Sequence, residues 1–103
     1  MSLPRPNPKA HVVVTGASSG IGTELARGFA ERGHDVMLVA RRRDRLETLA
    51  TELRDAHGID VEVRECDLGD PIDRAALAAD LRTGERAVAG LCNCAGFGPV
   101  LWR

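Results

Sequence analysis

A glycine-rich segment between a β-branched run and an amphipathic run constrains this chain more than any other feature of its sequence. The segment, residues 15–22, reads TGASSGIG. Gly16 permits a tight exit from a strand, Gly20 lets backbone N–H groups approach a diphosphate, and Gly22 lets the next helix pack close to the sheet. The N-terminus of that helix adds unpaired N–H donors for an anion. A turn without a ligand is the alternative, but an ordinary turn does not need three glycines and two serines.

Hydrophobic patterning places four strands and three helices in alternation. The predicted strands are 11–15, 35–40, 59–65 and 88–93, and the predicted helices are 18–32, 44–57 and 70–83. A β-α-β-α-β-α-β order predicts an α/β fold with parallel strands and right-handed crossovers, of the doubly wound Rossmann type. Residues 1–10 are predicted to form an extended lead and 11–103 the N-terminal half of a dinucleotide-binding domain.

Local signals support these elements. Ile21, Leu25 and Phe29 recur at helical spacing and are expected on the buried face of the first helix. Asp70 and Pro71 are typical of the N-cap and first residue of the third helix.

Charge and cysteine usage exclude several classes of protein. Lys and Arg total 14 against 15 Asp and Glu, so neither nucleic-acid binding through phosphate neutralisation nor a polybasic membrane anchor is expected. No apolar run reaches the length of a membrane span. Cys66, Cys92 and Cys94 form an odd set without a secretory signal, which predicts a reducing, cytoplasmic location. We interpret all three as packing residues, because two neighbouring thiols without a nearby His do not complete a zinc site.

Several motifs occur together in the order typical of the short-chain dehydrogenases/reductases. The segment 15–22 resembles the nucleotide-binding signature of that family, Asp67-Leu68 resembles its adenine-contacting Asp, and residues 93–96 (NCAG) resemble its Asn-Asn-Ala-Gly motif. The resemblance covers residues 11–98 and implies an oxidoreductase that transfers hydride between a nicotinamide cofactor and a carbonyl or alcohol substrate. The expected cofactor-binding residues are Gly16, Ser18, Ser19, Gly20, Ile21, Gly22, Arg41, Arg42, Asp67, Leu68, Asn93, Ala95 and Gly96.

Two of these residues have competing interpretations. The Asp67 carboxylate, at the C-terminal end of the third strand, could accept from the exocyclic amine of adenine, or it could only cap the turn before Asp70. Asn93 is expected to tie neighbouring backbones together near the cofactor, and a purely structural role is the alternative. Cys94 departs from the commoner Asn, and a thiol is a weak donor.

The residues after the second predicted strand favour NADP(H) over NAD(H). An NAD site needs an acid about 20 positions beyond the glycine loop, where this chain has Arg41, Arg42 and Arg43, with no carboxylate before Asp44. An arginine offers a charge-assisted fork to a 2′-phosphate. Three solvated arginines at a helix start are the alternative. Ser18 is expected to help at the phosphate or ribose, or only to cap the first helix.

The catalytic half of the family pattern is absent from this sequence. The resemblance implies a Tyr-x-x-x-Lys pair with a Ser and an Asn beyond the fourth strand, but the chain has no Tyr, and its one Lys, Lys9, precedes the first strand. We therefore interpret the chain as the cofactor half of an oxidoreductase, with strands in the order 3-2-1-4 and no turnover by itself. The open edge of strand four is expected to cause self-association. A non-catalytic NADP(H)-binding or sensing module, and a structural domain with a vestigial loop, remain alternatives.

Overall fold

A computed structural model describes residues 10–17, 20–84 and 86–93 of the chain. The elements are β1 (Ala10–Thr15), α1 (Gly20–Glu31), β2 (Val36–Ala40), α2 (Arg43–His57), β3 (Val61–Glu65), α3 (Pro71–Thr83) and β4 (Ala87–Asn93). The strands form one parallel sheet in the order β3-β2-β1-β4. The predicted α/β fold class and strand order are therefore confirmed.

The two central strands are buried throughout because helices cover both faces of the sheet. Every residue of β1 and β2 is buried, whereas in β3, at the sheet edge, only Val61 is. Side chains alternate along β1: Val12 and Val14 join the larger core under α1 and α2, and Val13 joins the smaller core under α3. Apolar runs thus specify the interior strands, and alternation with charge specifies the edge strand.

Helix α1 packs on the sheet through small residues as well as through the predicted apolar stripe. Its buried residues are Gly22, Ala26, Phe29 and Ala30. Leu25 is half-buried against the same core, whereas Ile21 is 57% exposed, so the predicted place of Ile21 on the buried face is wrong. At the start of the helix, Gly22 rather than Ile21 lies against the loop after β1.

Element boundaries follow from local hydrogen bonds. The Asp70 carboxylate accepts from Ile72 N at 2.9 Å and Pro71 opens α3, which confirms the predicted cap. Strand β3 begins at Val61, two residues later than predicted, because the Asp60 N–H donates to the Asp35 side chain instead of a neighbouring strand. Gly58 ends α2 in the left-handed conformation, with φ of 66°.

An ion pair joins the amino-terminal ends of the strands. The Arg86 guanidinium pairs with the Asp35 carboxylate and also donates to the Ala10 carbonyl at 3.4 Å. The other Asp35 oxygen accepts from Asp60 N at 2.9 Å. We call Arg86, Asp35 and these two partners the amino-end clasp. His11 lies beside it, 4% exposed, and within the described residues neither ring nitrogen has a hydrogen-bond partner.

His11 makes the stability of this fold sensitive to acid. Burial lowers the pKa of His11, and Arg86 lowers it further, while Glu62 and Asp35 oppose the shift. The unfolded chain binds the proton near pH 6.5, before the folded chain does. Stability is therefore full above about pH 6.5 and falls as the pH drops below that value.

We predict that His11→Leu, which replaces the imidazole by an apolar side chain, weakens this acid dependence. The free energy of unfolding, measured in urea between pH 7 and pH 5, should fall less for the variant than for the wild type. An unchanged pH dependence in His11→Leu would show that other groups cause the acid sensitivity.

Candidate functional site

The carboxyl ends of the parallel strands meet at one edge of the sheet, and the predicted site residues follow them. Thr15 lies opposite Val39 of β2 and Asn93 of β4, and Ala40 lies opposite Glu65 of β3. The segments that begin at Gly16, Arg41 and Cys66 therefore leave the sheet side by side. In open α/β sheets this edge, where the strand order reverses, is the place for a ligand.

The glycine loop is held by its backbone. Gly16 has a φ of 66°, in the left-handed region that favours glycine. Ala17 N donates to the Val39 carbonyl at 3.2 Å, and Thr23 Oγ1 donates to the Ala17 carbonyl at 2.7 Å. The Thr23 contact was not predicted, because its only signal in the sequence is a hydroxyl residue directly after Gly22. Ser18 lies outside the described residues.

The three predicted glycines have three different environments. A Cβ atom on Gly22 would lie 2.2 Å from the Gly16 carbonyl oxygen, so only glycine fits there. Among the described residues, nothing lies within 4 Å of a Cβ atom built on Gly20. Gly20 is exposed at the start of α1, next to the exposed Ile21. The neighbouring Ser19 lies outside the described residues.

Two arginines beyond β2 are exposed and carry unused donors. Within the described parts of the chain, neither Arg41 nor Arg42 makes a side-chain hydrogen bond or ion pair, whereas Arg43 lies 3.7 Å from Glu47. Arg42 takes the N-cap position of α2 without a side-chain cap bond. The first carboxylate after β2 is Asp44, in the first turn of α2. Two guanidinium groups are therefore available to an anion at this corner.

The loop after β3 holds Asp67 through several bonds. Asp67 Oδ1 accepts from Gly69 N at 2.9 Å, and the Asp67 carbonyl accepts from Asp70 N at 2.9 Å. One carboxylate oxygen thus has the turn-capping role considered as an alternative. Oδ2 has no hydrogen bond from the part of the chain that the structure describes. Leu68 is half-buried and packs on the core under α3.

The first turn of α3 contacts the same loop. Asp67 N donates to Asp73 Oδ2 at 3.1 Å, and Arg74 Nη1 donates to the Leu68 carbonyl at 3.1 Å. Burial raises the pKa of the Cys66 thiol, and nearby Asp73 adds to that shift. The protonated thiol lies 3.6 Å from the Asp73 carbonyl. The sequence reasoning missed Asp73 and Arg74, because an acid and an arginine at a helix start are common for helix stability alone.

The end of β4 lies beside the start of the glycine loop. Thr15 Oγ1 donates to the Cys92 carbonyl at 3.3 Å, which joins β1 to β4 immediately before Asn93. The backbone of Asn93 lies opposite Thr15. Of the predicted residues beyond it, Ala95 and Gly96 lie outside the described residues, as does Cys94.

Cys66 and Cys92 are buried in the two cores, as predicted for packing residues. Among the described residues, no three His, Cys, Asp or Glu side chains are placed to hold a metal ion. None of the three described helices is long and apolar enough to span a bilayer.

Comparison with known proteins identifies the family. A sequence model of the family described as short chain dehydrogenase matches residues 10–101. A solved short-chain dehydrogenase from Sphingobium yanoikuyae, in complex with NADPH, is 50% identical with a TM-score of 0.72 over 76% of this chain and 30% of its own. A bulky-bulky ketone specific alcohol dehydrogenase from Comamonas testosteroni is 36% identical with a TM-score of 0.76 over 95% of this chain and 38% of its own.

The curated relatives are more than twice as long as this chain. An oxidoreductase of Mycobacterium tuberculosis is 47% identical over 60 residues, which are 57% of this chain and 24% of the relative. The chain thus spans about a quarter of the length of the curated relatives it matches.

The two glycines of α1 that follow Gly20 should respond oppositely to alanine. Gly22→Ala forces a Cβ atom against the backbone of Gly16 and should destabilise the fold by about 1–3 kcal/mol. Gly28→Ala is the matched control, because its Cβ atom meets nothing within 4 Å and α1 gains helix propensity. It should stabilise by about 0.5–1 kcal/mol. Urea unfolding of both variants measures this, and a neutral Gly22→Ala would contradict the close approach.

Proposed function

Because the chain belongs to the short chain dehydrogenase family, we propose that it is the NADP(H)-binding half of an oxidoreductase acting on carbonyl or alcohol substrates. The observation that carries this proposal is the glycine loop: Gly22 lies so close to the Gly16 carbonyl that no side chain fits, and Gly20 is exposed at the start of α1. This close approach brings the N-terminus of α1 to the carboxyl end of β1, where its backbone N–H groups can meet a diphosphate.

In this proposal each segment at the cleft holds a different part of the nucleotide. The backbone N–H groups of residues 16–22, with the hydroxyls of Ser18 and Ser19, hold the diphosphate at the start of α1, where no acidic side chain opposes it. Asp67 and Leu68 contact the adenine. Asn93, with Ala95 and Gly96 beyond it, keeps β4 in place beside the cofactor.

The choice of NADP(H) over NAD(H) rests on Arg41 and Arg42. Both are exposed, and neither guanidinium has a side-chain partner among the described residues. Their planar donor sets match a 2′-phosphate, whereas an acid in their place would bind the ribose hydroxyls of NAD(H). The NADPH bound to the Sphingobium yanoikuyae relative supports the same choice.

Hydride is the chemistry that bound NADPH supplies; the proton must come from elsewhere. Carbonyl reduction develops negative charge on oxygen, which requires a positioned donor. The sequence has no Tyr, and its one Lys, Lys9, precedes β1. His11 and His34 are buried at or near the amino ends of the strands, away from the cleft. Asp67 is assigned to the adenine in this proposal and not to the substrate.

A non-catalytic module that senses NADP(H) would use the same cleft. The two functions differ in what the gene encodes beyond codon 103. A continuing frame with Tyr-x-x-x-Lys favours the oxidoreductase, and a stop codon favours the sensor. The cytoplasmic location predicted from the cysteines stays a prediction.

We predict that the chain binds NADP(H) more tightly than NAD(H), and that Arg41→Asp reverses the preference. One lost charge-assisted contact lowers affinity about ten- to hundredfold, and the new carboxylate also repels the 2′-phosphate. Calorimetric titration of both cofactors against both proteins gives the ratio.

In the same titration, Gly20→Val tests the contribution of the glycine loop independently of the arginines. The valine fills the open space at Gly20, so both cofactors should lose binding while circular dichroism stays close to that of the wild type. An Arg41→Asp variant with the wild-type ratio would disprove the role of Arg41, and full affinity in Gly20→Val would reduce the loop to a turn.

The two edges of the sheet differ in how well they resist further pairing. Strand β3 carries Glu62, Arg64 and Glu65 along one edge, whereas β4 has the uncharged sequence AVAGLCN at the other, with Leu91 38% exposed. Charged side chains discourage edge-to-edge pairing, and uncharged apolar strands permit it. We therefore expect self-association through β4 in the 103-residue chain.

The 103-residue chain should show no NADPH oxidation by itself, because it lacks a proton donor in the cleft. The assay uses purified protein, sized by light scattering, with a panel of aldehydes, ketones and quinones. Turnover that persists through repurification and is lost in Gly20→Val would contradict this prediction and reveal a different donor.

A further inference from the structure

The loop between β3 and α3 is more rigidly held than a turn requires. It runs from Cys66 to Asp70, at the carboxyl edge of the sheet. Cys66 N donates to the Ala40 carbonyl at 2.9 Å, which ties the start of the loop to β2. At the other end, the cap of Asp70 on Ile72 fixes where α3 begins. The residues between these anchors have little freedom left.

Within this loop, Asp67 is held at three of its polar groups. Its carbonyl accepts from Asp70 N, its Oδ1 accepts from Gly69 N, and its own N–H donates to Asp73 Oδ2 at 3.1 Å. A Cβ atom on Gly69 would lie 3.2 Å from Asp67 Oδ1, so a side chain there would crowd the carboxylate. Only Oδ2 is left for a ligand among the contacts of the described chain.

Among the described residues, Asp73 makes the one side-chain contact that runs from α3 to the backbone of Asp67. The cap that α3 needs for its first N–H groups is already provided by Asp70. Asp73 is half-buried, and its carboxylate is turned back to the loop. With the Asp67 N–H held by Asp73 and the Asp67 carbonyl held by Asp70 N, the peptide planes on both sides of the Asp67 Cα are anchored, and together they set the direction of its Cα–Cβ bond. The Asp73 bond therefore acts on the direction of the Asp67 side chain.

We propose that Asp73 is a positioning residue for the nucleotide: by accepting the Asp67 N–H, it aims the Asp67 carboxylate at the exocyclic amine of adenine. This inference rests on the proposed function, since it needs NADP(H) in the cleft. Arg74 assists from the next position, because its bond to the Leu68 carbonyl holds the residue on the other side of Asp67.

The test compares NADPH with its analogue in which hypoxanthine replaces adenine, so that an oxo group replaces the amine. A carboxylate that accepts from the amine is repelled by the oxo group, and the wild-type chain should prefer the adenine cofactor about tenfold or more. Asp73→Ala should reduce this preference to less than about threefold by weakening NADPH alone. Asp73→Asn keeps an acceptor oxygen and should retain the wild-type preference.

Asp80→Ala is the matched control. Asp80 lies on the same helix and pairs with Arg64 of β3, so its loss loosens α3 without touching the loop. The Asp80→Ala variant should keep the wild-type preference for the adenine cofactor. If this preference falls as far as it does in Asp73→Ala, the effect is one of helix stability and the proposal is overturned. If Asp73→Ala keeps the full wild-type preference for the adenine cofactor, the positioning role of Asp73 is overturned and the proposed function stands. If the wild-type chain binds both cofactors equally, Asp67 does not accept from the amine of adenine and this proposal is overturned. If the wild-type chain binds neither cofactor, the proposed function is overturned as well.

Discussion

Helix α1 owes its position to a close contact between its own backbone and the loop after β1. A Cβ atom on Gly22 would lie 2.2 Å from the Gly16 carbonyl oxygen, so the helix reaches the loop only because position 22 is glycine. With α1 in this orientation, Ile21 and Gly20 are exposed. The Thr23 hydroxyl donates to the Ala17 carbonyl, so the helix and the loop hold each other in place.

The two ends of the sheet have different chemistry. At the carboxyl ends, Arg41 and Asp67 are exposed and keep polar atoms without partners from the described chain. At the amino ends, the amino-end clasp closes on itself, with side chains of Asp35 and Arg86 only 16% and 18% exposed. Removing one partner of a buried ion pair is strongly destabilising, because the remaining charge is left without compensation. Substitutions of Asp35 or Arg86 should therefore act on stability.

The sequence was sufficient for the fold because each element carries its own signal. Apolar β-branched runs specify β1 and β2, and Asp70 with Pro71 specifies the start of α3. Periodicity predicted the core contacts of Leu25 and Phe29 but not the first turn of α1, since hydrophobic spacing gives weight to Ile21 and none to Gly22. The role of Arg41 and Asp67 as site residues, inferred from their place after a strand, stays a prediction.

What the sequence could not provide was the set of bonds between elements. Asp73 looks like any acid in a first helical turn, and only the fold brings its carboxylate to the Asp67 N–H. His11 looks like the first residue of a strand, and its burial beside Arg86 depends on the pairing of β1 with β4. Contacts between residues far apart in sequence leave no local pattern.

The pairing of β1 also has a consequence for the order of folding. Strand β2 follows β1 after a single helix, whereas the bond from Thr15 to Cys92 joins residues 77 positions apart. Closing a longer loop costs more entropy, and non-local parallel pairing is slow. As the chain is synthesised from its N-terminus, one side of β1 stays unpaired until β4 has been made. The strand that leads into the glycine loop is completed last, so the edge at which that loop meets β4 forms only when the fourth strand docks.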